Sequence, residues 1–177
     1  MKTVMLTVAA VLAGILLATP SAPASNVQKC RGGPEPPHLA LLTIKTIHIF
    51  NQPIGTHCAD LAKGPIWDEG FATRPGMGLT MVIDAHDVTP VPGYGAHGPF
   101  YHLNQIRAGD LARIRFNGVW RTYRFVTYPY AKPQSEKDKP IKNWRGEVVY
   151  FRCCWPRYTR YDWLYGRAVL VKPTHSE

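Results

Sequence analysis

The chain has no CxxC pair, no internal repeat, no long stretch of helical periodicity and no dense basic tract, and only four of its 177 residues are cysteine. The missing CxxC pair removes the ligand spacing of a zinc finger or ribbon. No carboxylate cluster suggests a calcium site, so neither metal nor cofactor is expected. Without repeats a solenoid or propeller is excluded, and without helical periodicity so is an all-helical domain. The net charge of +9, from 21 Lys and Arg against 12 Asp and Glu, is spread over Arg107, Arg113, Arg115, Arg121, Arg124, Lys137 and Lys139. Spread this way, it reads as a solvated face. Attraction to an acidic membrane face or wall polymer is the alternative, and nucleic acid is not an expected partner.

The amino terminus carries one early Lys2, an apolar run from Val4 to Ala18, and Ala22-Pro23-Ala24. These are the three parts of a secretory signal peptide. The run is shorter than the roughly 20 residues that span a bilayer, so cleavage is expected over an uncleaved membrane anchor. Residues 1–24 are thus read as the leader, 25–37, rich in Gly and Pro, as a linker, and 38–177 as one folded domain. Export makes disulfides possible, and Cys30 with Cys58 is a candidate pair.

The domain reads as β. Leu39–Phe50 and Leu79–His86 are apolar or β-branched, and Leu111–Tyr128 alternates on both sides of Asn117-Gly118, a hairpin turn signal. "EVVYFRCC" and "RAVLV" supply two more strands. Thr56–Gly64 and Gly98–Asp110 leave room for one or two short helices. Lys132–Trp144 reads as a long exposed loop. The expected architecture is an all-β closed barrel of about eight strands.

Alternation along Val148–Cys154 places Val149, Phe151 and Cys153 on a core side, with Val148, Tyr150, Arg152 and Cys154 opposite. Read alone, this stretch fits a structural cysteine better than a nucleophile. His86, ending "MVIDAH", and Arg167, opening "RAVLV", change the balance. A working thiol needs a base or cation nearby and a donor for the oxyanion it generates. Cys154, His86 and Arg167 are therefore the catalytic candidates. Cys153, Trp155 and His97 are candidate substrate contacts, with a plain loop histidine as the alternative for His97. Arg160 competes with Arg167 but falls in a loop.

The order His, Cys, Arg resembles the sortases, cysteine transpeptidases of the bacterial cell surface. "YFRCC" stands where that family has a Thr-Leu-x-Thr-Cys-like motif, "CWP" resembles its Cys-x-Pro, and Arg167 follows thirteen residues after Cys154. "RPGMGLTMVIDAH" resembles the strand ending in Gly-His, and "GPFYHLNQIRAGDLARI" the Phe-x-x-Leu…Gly-Asp segment. The likeness spans Leu39 to Lys172 and is nearest to the class F and E enzymes of high-GC Gram-positive bacteria. Ala85, Cys153, Tyr150 and Phe151 depart from the family pattern, and the loop Val91–Gly98 looks inserted.

The resemblance implies a sortase-like barrel on the extracytoplasmic face, or secreted. It implies that Cys154 cleaves an LPxTG-like sorting signal through a thioester and transfers it to an amine acceptor from a peptidoglycan precursor. His86 would act as general acid and base, and Arg167 would support the oxyanion. Two other readings remain: a non-catalytic basic barrel that binds wall polymers or peptides, and a divergent L,D-transpeptidase, although no Ser-His-Gly-Cys arrangement occurs.

Overall fold

A computed structural model describes residues 40–171 apart from 69, 72, 142–145 and 159–160. The expected leader, the linker, Cys30 and Arg160 lie outside the described residues. Among the described residues no helix is long and apolar enough to cross a membrane.

Among the described residues nine strands form one sheet: β1 (Ala40–Ile44), β2 (Ile49–Pro53), β3 (Ile66–Trp67), β4 (Thr80–Asp84), β5 (Leu111–Phe116), β6 (Val119–Phe125), β7 (Tyr130–Pro133), β8 (Val148–Trp155) and β9 (Asp162–Leu170). Their order is β2-β1-β5-β6-β9-β8-β4-β3, with β7 on the other half of β9. A bridge between Gly55 and Ile66 joins the two ends of that order, so the sheet curls into the expected barrel. Among these strands every pairing is antiparallel except β4 with β8.

The apolar run Leu39–Phe50 is a bent hairpin rather than one strand. Ile44, Ile47 and Ile49 are all buried, a spacing that a straight period-two strand cannot satisfy. A 3-10 turn at Lys45–Ile47 and a left-handed His48 make the bend. The two expected short helices are 3-10 turns only, Cys58–Ala62 and Leu103–Gln105. The Asn117-Gly118 turn forms as expected between β5 and β6, with both residues at positive φ.

Two apolar clusters hold the sheet. Leu42, Met81, Ile83, Phe100, Ile114, Phe125, Val149, Phe151 and Cys153 fill the barrel. Outside it, Val82, Val148, Tyr150 and Tyr165 pack under Tyr130, Ile141 and Trp163. β8 is thus covered on both faces, which is why it reads as a nearly continuous apolar run.

Candidate active site

The parallel pairing of β4 with β8 builds the centre of the site. It matches Thr80 with Val148 and Asp84 with Arg152, an offset of 68 residues. His86 and Cys154 share that offset, each two residues beyond the last pair. The ladder continues past Asp84, since Ala85 N–H donates to Arg152 O at 3.1 Å. Neighbouring strands run about 4.8 Å apart, so imidazole and thiol leave the same barrel rim side by side. Across the other edge of β8, Cys154 faces Trp163 of β9.

Both residues line one cleft of about 460 Å³, with Asp87, Tyr158, Asp162 and Trp163 among the other walls. Gly98 lets a loop close against its back. A Cβ at that glycine would stand 2.2 Å from His86 O, and the loop holds His86 through Phe100 N–H to His86 O at 2.9 Å. Asp87 is 3% exposed, and its Oδ2 has no hydrogen-bond partner. Burial pushes its carboxyl up, while a backbone N–H and the neighbouring His86 pull the other way.

Beneath the thiol lies a buried ion network that sequence reading missed. Arg152, fully buried, grips Asp84 with two bonds, Nε to Oδ1 at 2.7 Å and Nη2 to Oδ2 at 2.8 Å. It also bonds Asp138 at 3.0 Å and contacts Asp68. The Trp163 ring lies over the guanidinium at 4.8 Å, and Lys137 lies over the ring at 5.1 Å. Three carboxylates share two cations, and burial dominates at Asp84, which is pushed up to about 6 against the pull of Arg152. Asp138 and Lys137 belong to the long loop before β8, so this network ties that loop to the strand carrying Cys154. The missed signal was periodic: Asp84 precedes His86 by two residues as Arg152 precedes Cys154, so each pair shares a strand face.

Four candidate residues are not among those lining the cleft. Arg167 pairs with Tyr150, four residues along the ladder from the Cys154–Trp163 pair. At about 3.4 Å per residue that is about 14 Å. The thirteen-residue spacing suggested convergence, but the register brings Trp163, not Arg167, opposite Cys154. Cys153, expected among the substrate contacts, is 1% exposed in the barrel core with its thiol toward Phe100 O. Burial raises its pKa well above the ordinary range. Trp155 packs against the barrel core, near Arg157. His97 stacks on Tyr101 with ring centroids 3.6 Å apart. Cys58 is disulfide-bonded, whereas Cys153 and Cys154 are thiols outside any disulfide.

Neither a family model nor a curated protein matches the sequence. Solved structures do. A lid mutant of sortase A from Corynebacterium diphtheriae is 24% identical, covers 78% of this chain and 72% of its own, and superposes with a TM-score of 0.65. Sortase C-1 from Actinomyces oris is 20% identical over 77% and 75%, also at 0.65. A lid mutant of Streptococcus agalactiae sortase C1 gives 20% over 78% and 71%, at 0.65. The chain has a sortase-like fold.

Proposed function

We propose that this chain is a cysteine transpeptidase of the cell surface, with Cys154 as nucleophile and His86 as general acid and base. One observation carries the reading. The parallel β4–β8 ladder brings a histidine and a solvent-reachable cysteine, distant in sequence, to one cleft on a sortase-like fold.

The chemistry then follows from the two side chains. The Cys154 sulfur attacks the backbone carbonyl carbon of a sorting-signal peptide similar to Leu-Pro-x-Thr-Gly, and the carbonyl electrons move onto oxygen. The C–N bond breaks as His86 gives its proton to the leaving amine, which leaves a thioester. An acceptor amine, such as that of a wall precursor, loses its proton to His86 and attacks the thioester. Sulfur departs as thiolate, and a new amide is made. The oxyanion contact that the resemblance assigns to Arg167 is not supported by the ladder, which pairs Arg167 with Tyr150, about 14 Å along β9 from the residue facing Cys154.

Cleavage of fluorogenic sorting-signal peptides by the exported domain and its variants tests the reading. C154A and H86A are expected to abolish turnover, whereas C153A keeps most of it. Turnover that survives C154A would eliminate the nucleophile and with it the mechanism.

A further inference from the structure

The basic residues that are scattered along the sequence converge in space. On the outer face of the β5–β6 hairpin, strand alternation sets Leu111, Arg113 and Arg115 in a row, and the register matches them with Arg124, Thr122 and Trp120. Arg113, Arg115 and Arg124 are all exposed. Among the described residues none of the three makes an ion pair, and Arg113 lies over the Trp120 ring at 4.8 Å. Beside this face on β1, the half-buried Leu41 pairs with Arg115 and the buried Thr43 with Arg113. Asp and Glu are absent from all of these positions.

Apolar surface is mixed into this cationic face. Leu111 is 45% exposed and Trp120 37%. A soluble polyanion rewards charge alone. An anionic bilayer rewards both, since arginines meet the phosphates while tryptophan and leucine enter the headgroup boundary.

We propose that this face docks the domain onto a bilayer bearing anionic phospholipid headgroups. Each arginine near such a surface contributes about fivefold in affinity, the equivalent of roughly 1 kcal/mol. The three together contribute on the order of a hundredfold. The docking does not depend on the catalytic reading, because no residue on this face lines the cleft.

The test is sedimentation of the full chain with vesicles of phosphatidylcholine alone or with phosphatidylglycerol at about a third. The ratio of the two affinities is the readout, since the apolar N-terminal run contributes to both. The wild type is expected to favour the anionic vesicles strongly at low salt and to lose that preference in high salt. The variant R113Q/R115Q/R124Q is expected to bring the ratio near one, and W120A to weaken binding to both vesicles while sparing the ratio. Circular dichroism and unfolding midpoints establish that the variants are folded. A wild-type ratio of one, or an unchanged ratio in the triple variant, overturns the proposal. So does equally tight binding of soluble polyphosphate that ignores W120A, which would assign the face to a polymer.

Discussion

Replacing Arg152 by methionine probes the network beneath the nucleophile. The guanidinium is fully buried, and the side chains of Asp84 and Asp68 are 13% and 12% exposed. Removing the cation leaves two nearly buried carboxylates with only Lys137 near Asp68. Breaking one side of a buried pair costs roughly 3–5 kcal/mol, a large share of a domain's total stability. Methionine fills much of the volume, so a cavity adds little. The deficit should depend on pH. Asp84 holds its proton up to about 6 in the folded chain against 3.8 as its ordinary value. Its contribution to stability is therefore full below about pH 4 and is lost as pH rises toward 6. Without Arg152 its proton is held more tightly still, so acidification should shrink the cost of R152M. Urea unfolding followed by tryptophan fluorescence at pH 7.5 and pH 5 measures both effects, and R152M/D84N should recover part of the loss. A cost under about 1 kcal/mol at pH 7.5, or one that grows on acidification, would refute the reasoning.

Other expectations concern the site itself. R167A should cleave peptide within about threefold of wild type, because the ladder holds Arg167 about 14 Å along β9. G98A should impair turnover more than it impairs stability, because an added methyl collides with the His86 backbone; equal losses in both would refute this. Native protein treated with iodoacetamide near pH 8 should be alkylated at Cys154 and spared at Cys153, which peptide mapping resolves.

The β architecture was legible because strands announce themselves by period and by the Asn117-Gly118 turn. The faces of Cys153 and Cys154 followed from alternation alone, since β8 pairs in unbroken register with both β4 and β9. The bend at Lys45–Ile47 was not legible: one extra residue between buried isoleucines resembles a continuous strand. Arg167 shows a different limit. Sequence spacing counts residues, but the register of a hairpin depends on where its turn tightens. Here Trp163, not Arg167, comes to face Cys154. The charged network escaped notice because Asp84, Asp68, Asp138 and Arg152 lie on four separate segments and meet only through the β4–β8 pairing. The arginine face was hidden in the same way, as four intervals of two residues on two strands.

The most direct test is the mass of the domain after brief incubation with a sorting-signal peptide and an acid quench. The account predicts an acyl adduct that maps to Cys154, is released by hydroxylamine, and is absent from C154A. An adduct mapped to Cys153, or intact protein with no adduct while peptide is being cleaved, would contradict it.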